Sequence, residues 1–280
     1  MSNKKSKVVV VSDVHLGYQH SDHNSFEGFL DMLLQSKDVD TLIILGDFVD
    51  MWRRDASGLF LEFNPILEKI IALTKKLEVY CVAGNHDFHL LKLTSDENPF
   101  QNEYPLKFKE NIPLLEVEGI KYKFMHGYEF DRSQWSPVME ALCENFSDEI
   151  GQIRSNLWSL IQSLGKNIFS FWWYLLKNHS GSYKGYVKNL KMPPHARKNF
   201  ETSDVEKRAV EHLKKETSVQ RLVFGHTHKP FVSSDKRLAN SGSWVSDEEI
   251  FNTYIEIDGK EVRLVKYAQG DITSQFTVTF

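Results

Sequence analysis

Five short apolar runs recur along the chain, and each is followed by side chains of the types that can bind metal ions. The runs span residues 8–11, 41–45, 79–83, 122–125 and 221–224. They are rich in β-branched and aromatic residues and are bounded by glycine or polar residues, which is typical of buried strands. Because the carboxyl ends of neighbouring strands open into one crevice, we expect the side chains that follow the runs to converge.

The residues after these runs carry donor atoms suited to divalent metal ions. In chain order the blocks are Asp13-x-His15, Gly46-Asp47-x-x-Asp50, Gly84-Asn85-His86-Asp87, His126-Gly127 and Gly225-His226-x-His228. Carboxylate, amide and imidazole groups suit manganese, iron, zinc and similar ions, and none of the blocks contains a cysteine that would supply a thiolate. A carboxylate that bridges two ions favours in-line phosphoryl displacement, and Asp47 is the expected bridge.

This ordered set of blocks resembles the calcineurin-like metallophosphoesterase superfamily over residues 8 to about 245. The resemblance implies an α/β fold, a four-layer α/β/β/α sandwich with the metals at one edge. It implies one metal held by Asp13, His15, Asp47 and His228, and a second held by Asp47, Asn85, His126 and His226. It also implies that His86 contacts the scissile phosphate or protonates the leaving group while Asp50 orients it. An imidazole needs such a partner on its second nitrogen to fix its tautomer.

Two divalent ions are therefore the expected cofactors. Mn²⁺ is the first choice, and iron, zinc, nickel or cobalt suit the same donors. Arg53 and Arg54 follow the second block, and both are predicted to bind substrate because guanidinium groups match phosphate oxygens. His20 and His23 follow the first block, where a surface role is favoured over a substrate contact.

The rest of the pattern favours a layered α/β fold. Apolar residues recur at helical spacing within 26–34 and 61–73, as expected of crossover helices between the first three runs. Short strands are predicted at 231–233, 250–257 and 261–267, with an Asp258-Gly259 hairpin turn. At 280 residues, of which 41% are hydrophobic, the chain has room for one large domain plus an insertion.

Residues 127–220 separate two blocks that must lie side by side. We predict that they form a mostly helical insertion or cap, and that residues 1–126 and 221–280 form the core. An aromatic helical face is expected at 157–175. It either packs against the core or another helix, or it forms an apolar groove for acyl chains or lies at a membrane surface. Polar residues interrupt it, so a transmembrane span is a poor fit. A basic strip follows, and its Lys184 and Lys188 are predicted to bind phosphate or anionic lipid. The alternative is that the strip is only a solvated surface.

Within the superfamily, the chain is similar to the UDP-2,3-diacylglucosamine diphosphatases. The likeness rests on stretches 11–17, 45–53, 126–131 and 240–244 and on the Trp-rich segment, although the best-known branch has arginine at the position of His86. The expected activity is hydrolysis of a phosphoester or diphosphate bond in a nucleotide-linked lipid such as UDP-2,3-diacylglucosamine. The alternative is a general or nucleic-acid phosphodiesterase with a soluble substrate. A non-catalytic interaction module is disfavoured because the ligand set is intact.

Charge and cysteine content bear on partners and compartment. The net charge of -4 argues against nucleic acid as a partner, so a phosphorylated small molecule or a lipid nucleotide is expected. The chain has two cysteines, Cys81 and Cys143, in predicted regular elements, and the first apolar run is too short for a signal peptide. We therefore expect a cytoplasmic protein, with peripheral contact at the inner face of the membrane left open. The sequence predicts no oligomeric state.

Overall fold

The computed structural model describes residues 7–96, 98–130, 194–268 and 275–276. Within these residues the strands form two mixed sheets, one of seven strands and one of five. Lys184, Lys188 and the aromatic face predicted at 157–175 lie outside the described part of the chain. No helix in the described ranges is long and apolar enough to cross a membrane.

The larger sheet holds the first three predicted strands at its centre. Its strands are β1 (Lys7–Val11), β2 (Thr41–Leu45), β3 (Glu78–Val82), β4 (Phe108–Lys109), β10 (Thr253–Asp258), β11 (Glu261–Lys266) and β12 (Gln275–Phe276). They are arranged in the order β12-β11-β10-β1-β2-β3-β4. Strands β1 to β4 are parallel, and β10 runs antiparallel to β1. The carboxyl ends of β1, β2 and β3 therefore meet at one edge of the sheet.

The smaller sheet holds the other two predicted strands. It consists of β5 (Leu115–Val117), β6 (Ile120–Phe124), β7 (Arg221–Phe224), β8 (Phe231–Val232) and β9 (Leu238–Asn240), in the order β5-β6-β7-β9-β8. Strands β6, β7 and β9 are parallel, which sends the carboxyl ends of β6 and β7 in the same direction. The hairpin between β10 and β11 turns at Gly259 and Lys260, one residue later than predicted, because Asp258 still pairs with Glu261.

Four α-helices are described: α1 (His23–Gln35), α2 (Ala56–Glu62), α3 (Asn64–Thr74) and α4 (Pro194–Lys215). Helix α1 begins where the Asp22 carboxylate accepts a hydrogen bond from the Ser25 N–H at 3.2 Å. Its buried residues, Phe26, Phe29, Leu30 and Leu33, form the predicted apolar stripe. A short 3₁₀ helix at Tyr128–Phe130 and a longer one at Phe88–Thr94 complete the helical elements of the described residues.

The single helical face predicted over 61–73 is wrong at its start. Two helices meet at Phe63 instead. Asp55 caps the start of α2 by accepting a hydrogen bond from the Gly58 N–H at 2.7 Å, and a proline in its first turn begins α3. Helix α3 buries Ile66, Ile70 and Leu73 as predicted. Leu61 belongs to α2 instead and is 82% exposed.

Three hydrophobic clusters hold the elements together. The first joins α1 and α3 to the outer face of the larger sheet through alternate residues such as Val9 and Val11. The second joins the two sheets through the other alternate residues, including Val8 and Val10. The third joins α4 to the smaller sheet. Because both faces of β1 and β2 are covered, their sequences are continuously apolar rather than alternating.

Candidate metal centre

The five predicted ligand blocks lie at the carboxyl ends of β1, β2, β3, β6 and β7, and backbone hydrogen bonds link their loops. The Asp13 N–H donates to the Gly46 carbonyl at 3.0 Å, and the His15 N–H donates to the Asp47 carbonyl at 2.9 Å. On the smaller sheet, the Gly225 N–H donates to the His126 carbonyl at 2.8 Å. Each of these loops is therefore fixed by its neighbour as well as by its own strand.

Five of the predicted ligands have backbone in the left-handed region. Their φ angles are 54° at Asp13, 50° at His15, 51° at Asp47, 66° at His226 and 59° at His228. Such a conformation costs a residue other than glycine on the order of 1 to 3 kcal/mol and persists only where the surroundings fix it. Backbone strain of this kind concentrates at functional sites. Its presence at five predicted ligands therefore indicates that these loops form a functional site.

Two glycines of the blocks allow the loops to approach this closely. A Cβ on Gly225 would overlap the side chains of Ser12 and Asp13. A Cβ on Gly84 would overlap the carboxylate of Asp47 and lie 2.5 Å from its backbone nitrogen. The glycines that open the G-N-H-D and G-H-x-H blocks are therefore required by packing against the ligands of the neighbouring strands.

The predicted ligands form two donor clusters that meet at Asp47. The ligand atoms of Asp13, His15 and His228 all lie within 4.8 Å of one another, and so do those of Asp47, His126 and His226. In the first cluster the Nε2 atoms of His15 and His228 face each other at 3.1 Å. In the second, His126 Nε2 lies 3.3 Å from Asp47 Oδ2 and 3.2 Å from Asn85 Oδ1. Asp47 Oδ2 is also 3.6 Å from His15 Nε2, so it borders both clusters.

The carboxylate of Asp13 tests whether these residues fit a cation. Its Oδ2 accepts hydrogen bonds from the Ser12 hydroxyl and from the His226 N–H, the latter at 2.9 Å. Its Oδ1 is buried and has no hydrogen-bond partner among the described residues, although His228 Nε2 lies 3.3 Å away. A buried carboxylate oxygen without a partner is costly, and a metal ion at the meeting point of these donors would satisfy it. The donor set fits a divalent ion.

The histidines are held by contacts on their outer nitrogens. His15 Nδ1 lies 3.2 Å from Asp50 Oδ2, and His126 Nδ1 lies 2.8 Å from the Leu45 carbonyl. His228 Nδ1 lies 3.5 Å from a carboxylate oxygen of Glu248. A hydrogen on Nδ1 directed at an acceptor leaves Nε2 free to bind a metal. The sequence did not reveal Glu248, because no motif marks it and only the fold brings it to His228.

The electrostatics of the site keep the Asp47 carboxylate ionised. Burial acts to raise the pKa of Asp47, but the imidazoles of His126 and His86 outweigh it and hold that pKa well below its usual value. Burial acts to lower the pKa of His126, yet Asp47 and Asp13 raise it to about 10. Without a metal, the imidazole protons balance the charge of the carboxylates. Metal binding would therefore release protons from the site.

Asp50 joins the donor clusters to His86. The carboxylate is fully buried, and its Oδ1 lies 3.2 Å from His86 Nδ1 while its Oδ2 faces His15. Arg53 forms an ion pair with the same Oδ2 and holds its guanidinium carbon 4.3 Å from the centre of the Tyr18 ring. One carboxylate thus fixes a predicted metal ligand and the predicted catalytic histidine at once.

A cavity of about 320 Å³ opens over these side chains. It is lined by His15, Tyr18, Asp47, Arg53, Asn85, His86, Val205, His226, Thr227, His228, Val245, Asp247 and Glu248. Arg53 therefore reaches the cavity, although its charge is already paired with Asp50. Arg54 is paired with Glu62 and is not among the lining residues, so its assignment as a substrate ligand stays a prediction without geometric support.

The chain matches the family model of the calcineurin-like phosphoesterases over residues 6–230 and therefore belongs to this family of metal-dependent hydrolases. This confirms the superfamily predicted from the five blocks.

Curated relatives match over most of their length. A UDP-2,3-diacylglucosamine hydrolase of a Shewanella species is 24% identical, and the match covers 93% of this chain and 98% of the relative. Proteins of the same name from Shewanella baltica and Aliivibrio fischeri are 27% and 26% identical. The matches cover 89% and 87% of this chain and 94% and 92% of these relatives.

Proposed function

We propose that this phosphoesterase hydrolyses a phosphoester or diphosphate bond with two divalent ions. One ion is assigned to Asp13, His15, Asp47 and His228, and the other to Asp47, Asn85, His126 and His226. The observation that carries this proposal is the position of Asp47 between two buried donor clusters beneath one cavity. When bound, two such ions supply Lewis-acid stabilisation of phosphoryl charge and activate water near neutral pH. Mn²⁺ is the first ion to test, followed by iron, zinc, nickel and cobalt.

His86 is proposed as the group that acts on the departing oxygen. Its side chain is 11% exposed, it lines the cavity, and its Nε2 lies 4.0 Å from Asp47 Oδ2. With Nδ1 held by Asp50, Nε2 can give its proton to the leaving group or neutralise phosphate charge. A group in this role contributes about 10²- to 10⁴-fold to the rate.

A nucleotide-linked lipid such as UDP-2,3-diacylglucosamine is the proposed substrate. The support is the name shared by the curated relatives, whose matches span most of both chains. Arg53 is proposed to contact the substrate from the cavity wall, and Lys184 and Lys188 from the insertion. The alternative is a general or nucleic-acid phosphodiesterase with a soluble substrate. Asp247 and Glu248 line the same cavity and oppose only its nucleic-acid form, because acidic side chains repel a polyanionic backbone.

A four-layer α/β/β/α arrangement with an inserted cap is proposed as the frame for this activity. In that arrangement α1 and α3 form one outer layer and α4 the other. Residues 127–220 are the insertion between core segments 1–126 and 221–280, and its last part, α4, also packs on the smaller sheet. Val205 of α4 lines the cavity, which supports a role of the insertion in substrate binding. A cytoplasmic location with peripheral contact at the inner face of the membrane fits a lipid substrate.

Product analysis tests the proposal. Manganese-loaded protein is incubated with UDP-2,3-diacylglucosamine and, separately, with the soluble diester bis(p-nitrophenyl) phosphate. Release of UMP and the acylated sugar phosphate is expected. Turnover of the model diester alone would favour the alternative with a soluble substrate, and no metal-dependent turnover of either compound would refute the hydrolase assignment.

A further inference from the structure

The indole of Trp52 lies flat against the imidazole of His86. The two ring centroids are 3.8 Å apart and the ring planes differ by 25°. Trp52 is part of the turn that follows Asp50, and the sequence gives it no role beyond a family likeness. A stacked aromatic ring at this position restrains the proposed catalytic histidine directly.

His86 is held from three directions. Its Nδ1 lies 3.2 Å from Asp50 Oδ1. Trp52 covers one face, and the ring of His15 approaches at 4.7 Å with a plane angle of 89°. Nε2 lies 4.0 Å from Asp47 Oδ2, on the side of the ring that the proposed metal ligands occupy. The three contacts leave this nitrogen as the working atom of the ring.

A hydrogen bond at Nδ1 tolerates a range of angles, so it does not by itself fix the torsion about the Cβ–Cγ bond of His86, which sets the plane of the ring. A stacked indole removes this freedom and also attracts a positively charged ring through its π face. The turn that carries Trp52 is itself fixed to the loop of His86, since the Met51 N–H donates to the His86 carbonyl at 3.3 Å. The indole and the imidazole are therefore carried by two loops that are hydrogen-bonded to each other.

We propose that Trp52 is a positioning residue that holds His86 with Nε2 directed at the reacting phosphate. The inference rests on the proposed function, which gives His86 its catalytic role, and it adds the residue that keeps the ring in place. Two residues of one turn thus have different roles, since Asp50 holds Nδ1 by a hydrogen bond while Trp52 restrains the plane of the ring by stacking.

A double-mutant cycle tests this proposal on metal-loaded protein with diphenyl phosphate, whose leaving group needs a proton. Trp52→Leu is expected to lower kcat roughly 10-fold or more while KM stays within about threefold, because misplacement of a catalytic group affects the reacting complex. Trp52→Phe, which keeps an aromatic face, is expected to retain most of the activity. In the His86→Gln background, Trp52→Leu should have no further effect, because its partner is already gone.

A second measurement does not depend on activity. Exchange of the carbon-bound imidazole hydrogen of His86 with deuterium, followed by mass spectrometry, should be faster in Trp52→Leu than in the wild type. Met51→Leu is the matched control from the same turn, since Met51 packs against the core cluster beneath α1 and α3. Metal content and the thermal unfolding midpoint identify any variant that has simply failed to fold.

Two results would overturn the proposal: a Trp52→Leu protein with the kcat and exchange rate of the wild type, or an equal loss of kcat from this change with and without His86. Absence of metal-dependent hydrolysis in the wild type would instead refute the proposed function. The exchange rate of His86 would still decide whether Trp52 holds the ring.

Discussion

Replacement of Gly225 by alanine should reduce both metal binding and stability. A Cβ at this position would lie 2.6 Å from Ser12 Cβ, so the two groups must separate by about 0.8 Å to reach the 3.4 Å of ordinary contact. Ser12 cannot simply rotate away, because its hydroxyl donates to the Asp13 carboxylate and lies 2.7 Å from the Ser241 hydroxyl and 3.1 Å from the Gly242 carbonyl. The strain must therefore be passed to the neighbouring Asp13, whose Oδ2 the new Cβ would also overlap.

The magnitude follows from this geometry. Overpacking of a buried site costs about 1 to 3 kcal/mol, which for a chain of this length corresponds to a fall of roughly 2 to 5 °C in the midpoint of thermal unfolding. Metal ligands tolerate displacements of about 0.2 Å, so a shift of Asp13 by several tenths of an ångström should weaken metal binding by at least about 10-fold. Calorimetric titration with Mn²⁺ and differential scanning calorimetry measure the two effects.

Gly119→Ala is the matched control. Nothing lies within 4 Å of a Cβ at Gly119, although its φ of 79° makes alanine strained there. This variant should lose some stability, about 1 to 2 kcal/mol, while binding metal like the wild type. A Gly225→Ala protein that bound Mn²⁺ with unchanged affinity would refute the account of the close approach between these loops.

Three further outcomes are expected. Asp47→Ala should abolish metal-dependent turnover and lower the metal content by elemental analysis, because Asp47 borders both donor clusters; unaltered turnover would contradict its role as a bridge. His86→Gln should leave the metal content unchanged while slowing turnover about 10²- to 10⁴-fold. The loss should be larger for diphenyl phosphate than for bis(p-nitrophenyl) phosphate, because the leaving group of the latter needs no proton. A His86→Gln protein that contained no metal would show that His86 is a metal ligand instead. Ile70→Ala should lower the free energy of unfolding, measured by chemical denaturation, by about 2 to 5 kcal/mol, because Ile70 is fully buried. Leu61→Ala should change it by less than about 0.5 kcal/mol, because Leu61 is 82% exposed. Equal losses of stability in the two variants would contradict the break between α2 and α3.

The strands and the ligand loops could be predicted from the sequence for a physical reason. The central strands are covered on both faces, so their apolar runs are unbroken and end abruptly in polar residues. Parallel pairing then places the carboxyl ends of these strands at the same edge of the sheet. The apolar stripe of α1 was readable because four residues at helical spacing face a single cluster.

What the sequence did not reveal depends on short elements or on contacts across the fold. Strands β4, β5 and β9 have two or three residues each, too few for a period to appear. The break between α2 and α3 was hidden because apolar residues continue through it, and only capping and a proline mark it. Glu248 beside His228 and Trp52 on His86 are tertiary contacts, and no local pattern distinguishes either residue from an ordinary surface or core side chain.

Each proposed metal draws its ligands from both sheets. Asp13, His15 and Asp47 follow strands of the larger sheet, whereas His126, His226 and His228 follow strands of the smaller one. Bound ions would thus act as cross-links between segments that are far apart along the chain, in the manner of a reversible disulfide. Metal supply would then govern how firmly the two sheets are held together, and a chelator would lower the stability of the fold as well as stop the proposed reaction.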